Sequence, residues 1–139
     1  MIVVDTNLIG YLFLESNHAS LAEQALLKDA EWTAPLLWRS EFRNVLALYI
    51  RKRWLTLEES QQIMESALEL MDAHEYEVVS DRVLQLVAES RCSAYDCEFV
   101  ALAQELGATL VTVDKQILKD FPAVAVSLAS FGGPQAAGD

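Results

Sequence analysis

Four acidic residues, Asp5, Glu41, Asp96 and Asp114, stand in settings where a carboxylate is best explained by chemistry. Asp5 follows Ile2-Val3-Val4 and precedes Thr6-Asn7, and Asp114 follows Thr109 to Val113. Short runs rich in β-branched residues read as strands covered on both faces. Ligands of an open parallel sheet bind beyond the carboxyl ends of its strands, so Asp5 and Asp114 project from one edge if the two strands are neighbours. Glu41 shares a helical spacing with Leu37, Val45 and Leu48, which puts a carboxylate on an apolar face. An unpaired buried carboxylate is costly, so Glu41 needs an arginine or a metal ion as partner. Four carboxylates in one pocket would raise each other's pKa values, and a divalent cation removes that repulsion. Oxygen ligands suit Mg²⁺ or Mn²⁺, which keep waters and bridge carboxylates to substrate phosphates. One ion can activate water and a second can stabilise a leaving oxygen, which is the chemistry of phosphodiester hydrolysis.

Three of these acids also have a plainer use. Asp5 or Asn7 can cap the helix that follows the first strand, and Asp114 can cap another. Ser93 stands three residues before Asp96, a capping-box spacing. Glu41 has no such role.

The elements that must position these residues alternate. Residues 7–14 and 16–29 read as helices, 32–34 as a short strand, and Pro35 favours a fresh helix start over 36–53. Thr56 and Glu59 form a capping box for a helix running to about Met71. Residues 76–79 read as a strand, and Ser80 as the N-cap of a helix ending near Arg91. A helix over 94–106 stops at Gly107. A strand over 109–113, a short helix over 115–119 and a last strand over 124–126 complete the pattern. Such alternation implies an α/β fold with a central parallel sheet wrapped by helices. Residues 1–131 read as one domain and 132–139 as a disordered tail.

A chain of 139 residues with 53% hydrophobic residues is long enough for a substantial core. It contains no apolar run of membrane-spanning length and no basic segment leading into an apolar one, so a soluble cytoplasmic protein is expected. Cys92, Cys97, His18 and His74 are too scattered for a four-ligand zinc site. A net charge of −11 argues against broad attraction to nucleic acid or anionic lipid. Five of the ten basic residues, Arg39, Arg43, Arg51, Lys52 and Arg53, nevertheless fall between positions 39 and 53. They read either as solvated helix charges or as a basic strip beside an acidic site, able to contact phosphates or the acidic residues of a partner.

The pieces Val4-Asp5-Thr6-Asn7, Ser40-Glu41-Phe42, Tyr95-Asp96 followed by Ala101-Leu102-Ala103, and Val111-Thr112-Val113-Asp114 together resemble the PIN-domain ribonucleases, and in particular the VapC-type toxins of bacterial toxin-antitoxin pairs. The resemblance spans nearly the whole chain. It implies a PIN-like three-layer sandwich of about five strands in the order 3-2-1-4-5, and a Mg²⁺-dependent endoribonuclease in which Mn²⁺ can substitute. Asp5, Glu41, Asp96 and Asp114 would be its catalytic and metal-binding acids, with Asn7 and Thr112 in support. An RNA substrate, a homodimer and a cognate antitoxin are implied as well. For the dimer, Leu46, Tyr49, Ile50 and Trp54 offer apolar surface that a small domain need not cover by itself.

Two other classes stay open. An aspartyl-phosphate phosphohydrolase would use Asp5 as nucleophile but should carry a second Asp where this chain has Asn7. A non-catalytic binding module would keep the fold without needing all four acids.

Overall fold

The strand β1 (Ile2–Val4) runs through the centre of the molecule, and all three of its residues are buried. It belongs to a five-stranded parallel sheet in the computed structural model, which describes residues 1–133. Its partners are β2 (Trp32–Pro35), β3 (Glu75–Tyr76), β4 (Thr109–Thr112) and β5 (Ala125–Ser127), in the spatial order β3-β2-β1-β4-β5. Parallel neighbours need crossover connections, and the helices supply them. These are α1 (Thr6–Phe13), α2 (Ala19–Lys28), α3 (Leu37–Arg51), α4 (Leu57–Leu70), α5 (Ser80–Ala88), α6 (Ala94–Leu106), α7 (Lys115–Asp120) and α8 (Leu128–Gly132).

Side chains of a strand alternate between faces, so complete burial of β1 requires cover on both. The helix α6 lies across β1, β2 and β4 with α5 packed beside it, while α1, α2 and α8 pack in series and α8 reaches β4 and β5. Trp32, Trp38, Phe42, Met71 and Leu102 are among the core residues so enclosed. Each contributes on the order of 1.5–3 kcal/mol through removal of its apolar surface from water. α4 starts at a complete Thr56–Glu59 capping box, and α6 stops at Gly107 in the left-handed region with φ +62°.

Several expectations need correction. The third strand is Glu75–Tyr76 rather than 76–79: its pairing with β2 closes where the Leu36 N–H donates to the Tyr76 carbonyl at 3.0 Å, and the β2 chain then turns into α3. Ser80 begins α5 and makes no capping bond; Val79 takes the N-cap position. The fully buried stripe of α3 is Trp38, Phe42 and Leu46, one residue on from the spacing read in the sequence, and Leu48 is exposed. Leu46 therefore belongs to the core and offers no surface to a second copy, while Trp54 is 60% exposed. The supposed tail begins too early, because α8 runs to Gly132; residues 134–139 lie outside the described residues.

Gly132 is what allows α8 to close on α2. A Cβ there would stand 2.5 Å from the Leu21 carbonyl oxygen and 3.4 Å from the Ala25 nitrogen, so the constraint is backbone against backbone. Gly132→Ala is expected to lower stability by about 1–3 kcal/mol through overpacking. Urea denaturation checks this, and an unchanged midpoint would contradict it.

Candidate active site

The register of the central strands builds one side of the site. Val4 lies opposite Val111, so Asp5 and Thr112 come next at the carboxyl edge, and the Asp5 N–H donates to the Val111 carbonyl at 3.2 Å. There Thr112 Oγ1 donates to Asp5 Oδ2, and the Val113 N–H donates to the same oxygen at 3.2 Å. Asp5 also caps α1, accepting the Leu8 N–H on Oδ1 at 3.3 Å. Asp114 caps α7 through the Ile117 N–H at 2.8 Å, and its own N–H donates to Thr112 Oγ1 at 3.0 Å. The capping and clustering readings of these aspartates are both realised. Each aspartate starts the helix that follows its strand and borders the same cavity.

Glu41 and Asp96 arrive from helices. Glu41 sits at the border of the α3 core stripe, half-buried, and accepts the Thr6 hydroxyl at 2.7 Å. Its protein partner is thus a hydroxyl and not an arginine. Asp96 lies in the first turn of α6, where Ser93 Oγ caps the helix by accepting the Asp96 N–H at 3.1 Å. The four acids line one cavity of about 280 Å³ together with Thr6, Asn7, Asn44, Val45, Phe99 and Ile117.

Burial, and next to it charge crowding, make this group harder to ionise. Burial pushes the Asp5 carboxyl above its ordinary range, and the Thr112, Val113 and Leu8 donors only partly offset it. Burial also raises Glu41, opposed by Thr6 and reinforced by the charge of Asp96. Asp96 is raised by burial and then by Asp114. A fifth carboxylate, Glu98, is raised by burial and by the charge of Glu41. No spacing pointed to Glu98, since only the packing of α6 near α3 brings it close to Glu41. Thr6 and Asn44 were missed too, although Asn44 is three residues beyond Glu41 and so shares its helix face.

The basic strip does not border this cavity. Arg39 makes a bidentate pair with Glu75, with Nε and Nη2 each 2.5 Å from a carboxylate oxygen, and Trp38 Nε1 joins the same carboxylate at 2.7 Å. Arg43 donates to the Arg39 carbonyl and to Ser40 Oγ. Both arginines are two residues from Glu41, about 200° around the helix, and so on its far side. Arg51, Lys52 and Arg53 lie at the end of α3, with Lys52 over the Trp54 ring at 4.6 Å.

Among the described residues, no three His, Cys, Asp or Glu side chains converge as a closed metal-ligand cluster. The donors around the cavity still suit a hard ion. They are oxygens, burial raises three of the carboxyls above their ordinary range, with neighbouring acids adding to it for Glu41 and Asp96, and Thr6, Thr112 and Ser93 hold the acidic segments in place. Mg²⁺ keeps several waters and needs only one or two carboxylates, a demand that an open arrangement meets.

A raised carboxyl pKa has a definite sign in stability. The folded state holds its proton more tightly than the unfolded chain, so each such acid costs stability as pH rises from the ordinary carboxylate range, near about 4, through its raised value. Asp96→Asn and Glu41→Gln remove that cost. Without metal, their melting temperatures are expected to match the parent's near pH 4 and to equal or exceed it at pH 7. A deficit that grows with pH would contradict this.

The comparisons with known proteins agree with this arrangement. The PIN domain family matches residues 2–124. A curated relative, Ribonuclease VapC3 of Pyrobaculum aerophilum, is 29% identical over 126 residues, covering 88% of this chain and 96% of its own. Among solved structures, PAE2754 from Pyrobaculum aerophilum superposes with a TM-score of 0.74 at 18% identity, covering 93% of this chain and 91% of that one. A toxin-antitoxin complex from Klebsiella pneumoniae contains a chain with a TM-score of 0.69 at 20% identity, covering 92% and 98%. Those two likenesses speak for the fold. The family match, which takes in all four acids and the first four strands of the sheet, establishes that this chain belongs to the PIN-domain family.

Proposed function

We propose that this chain is a divalent-metal-dependent endoribonuclease, the toxin of a toxin-antitoxin pair acting in the cytoplasm, with Asp5, Glu41, Asp96 and Asp114 as its catalytic acids. The observation that carries the reading is the meeting of these four carboxylates, from four separate segments, on one cavity beyond the carboxyl ends of β1 and β4. The ribonuclease name of the VapC3 relative and the toxin-antitoxin neighbour support it. Membership of the family makes the aspartyl-phosphate alternative unnecessary, and the retention of all four acids weighs against a purely binding module.

In this mechanism Asp96, Asp114 and Glu41 would hold Mg²⁺ or Mn²⁺, with Asp5 beside them on the cavity floor. When bound, the ion supplies charge that offsets the carboxylates, draws in a phosphodiester and acidifies water. The chain's own groups keep the acids in place: Thr112 and Val113 fix Asp5, and Thr6 fixes Glu41. Asn7, on the cavity wall, would support the ion's waters, and Thr112 links Asp5 to Asp114.

RNA reaches an anionic protein through cations away from the cavity. Arg51, Lys52 and Arg53 serve that role, with Arg43 secondary and Arg39 held by Glu75. The antitoxin lies in the groove where Phe13, Leu14, Tyr49, Trp54, Leu55 and Ile63 meet, as an amphipathic helix would. Co-purification with the product of a neighbouring gene, lost in Trp54→Glu, checks that partner. Leu36, Val79 and Leu84 are exposed near a cavity of about 550 Å³ and give a homodimer a better face than the expected one on α3. Light scattering on Leu84→Glu is expected to show a monomer where the parent is a dimer, and a monomeric parent would remove the dimer.

Cleavage of single-stranded RNA tests the central reading. Activity is expected to vanish in excess EDTA, to return with Mg²⁺ or Mn²⁺, and to fall roughly 10²-fold or more in Asp96→Asn and Glu41→Gln. Neutralising Arg51, Lys52 and Arg53 should weaken RNA binding and flatten its salt dependence. Undiminished cleavage in EDTA would overturn metal dependence, and full activity in both acid variants would overturn the site.

A further inference from the structure

We infer that Asn44 is a substrate-binding residue whose side-chain amide donates to a phosphate oxygen of the RNA strand in the acidic cavity. The inference rests on the nuclease reading and extends it to a residue with no role so far. Asn44 lies one turn beyond Glu41 on α3, and both side chains line the cavity. Its other lining residues are four acids, one hydroxyl, one further amide and the apolar Val45, Phe99 and Ile117; no Lys, Arg or His is among them.

A phosphodiester entering this cavity therefore meets few groups able to donate a hydrogen bond. The Thr6 hydroxyl is already donated to Glu41. The Leu8 and Ile117 amide hydrogens are directed to Asp5 and Asp114. Ser40 and Arg43, beside Asn44 in sequence, bond to each other. The Asn44 side chain is exposed at the cavity rim, where its NH₂ can meet a ligand.

An uncharged donor has an advantage here. A lysine or arginine at this position would pair with the carboxylates one turn away and compete with a metal ion for them. An amide supplies two N–H donors, adds no charge and leaves the acids free. The position on Glu41's helix fixes the spacing between the phosphate contact and the acid cluster, since both ride on one rigid element.

The test uses the full chain and a short fluorescent oligoribonucleotide of random sequence. Anisotropy in Ca²⁺ reads binding, and cleavage in Mg²⁺ reads KM and kcat. Asn44→Ala is expected to weaken binding about 10-fold, as loss of one hydrogen bond to a charged group would, and to raise KM by more than it lowers kcat. Asn44→Asp should bind still more weakly, and Asn44→Ser, which keeps a donor, should recover part of the loss. The Mg²⁺-induced rise in melting temperature should be the same in Asn44→Ala as in the parent, which separates a substrate contact from an ion ligand. Parental affinity and KM in Asn44→Ala would overturn the inference, as would a loss confined to the Mg²⁺ response. A parent that binds RNA without cleaving it would refute the nuclease reading while the binding comparison still decides Asn44, and a parent that neither binds nor cleaves would refute both.

Discussion

The Thr112 hydroxyl ties the two central strands together where they end, donating to Asp5 while accepting the Asp114 N–H. This short relay places a carboxylate from β1 beside one from β4 and depends on the parallel register that sets Val4 against Val111. A slip of one residue would turn Thr112 toward the other face of the sheet and dissolve the arrangement. The same two aspartates cap α1 and α7, so the start of each helix and the edge of the cavity are determined by the same side chains. Stability and site chemistry are thereby coupled. The caps and hydroxyl bonds offset part of the cost of crowding acids that burial and mutual repulsion impose.

Crowding extends across the cavity as a series of neighbours: Asp114 acts on Asp96, Asp96 on Glu41, and Glu41 on Glu98. The protein places no basic side chain among the lining residues to relieve it. Two of its arginines are engaged elsewhere, Arg39 on Glu75 and Arg82 on Gln104 and Gln85. With a net charge of −11, the molecule cannot attract RNA by general electrostatics. An anionic substrate in an anionic cavity would require a counter-charge from solution, and this is the electrostatic support for the proposed metal dependence.

Much of this was legible before the structure. Asp5 and Asp114 were marked by what precedes them, since an acid at the end of a buried parallel strand has few purely structural uses beyond a cap. Glu41 was marked by the apolar spacing around it, although that spacing misplaced the core face by one residue: Trp38, Phe42 and Leu46 are the buried stripe, and Glu41 stands at its margin. Long-range pairings were not legible. Nothing local to Arg39 announces that Glu75, 36 residues on, will hold it, so the basic strip looked nearer the site than it is. The closing helix α8 was hidden because its residues, Leu128–Gly132, are few, and its final glycine reads as the start of a tail until the close approach to Leu21 is seen.

The four acids are proposed to form one site whose repulsion a divalent ion relieves. The most direct measurement is the melting temperature with and without Mg²⁺ for the parent, Asp96→Asn and Glu41→Gln, with Asp81→Asn, an acid in the first turn of α5, as the control. Binding to the folded state alone stabilises it by mass action, about 2.7 kcal/mol at a hundred-fold excess over Kd. The account predicts a Mg²⁺-induced rise of several degrees in the parent and in Asp81→Asn, and a much smaller rise in the two site variants. Equal Mg²⁺ shifts in all four proteins, or none in the parent, would contradict it.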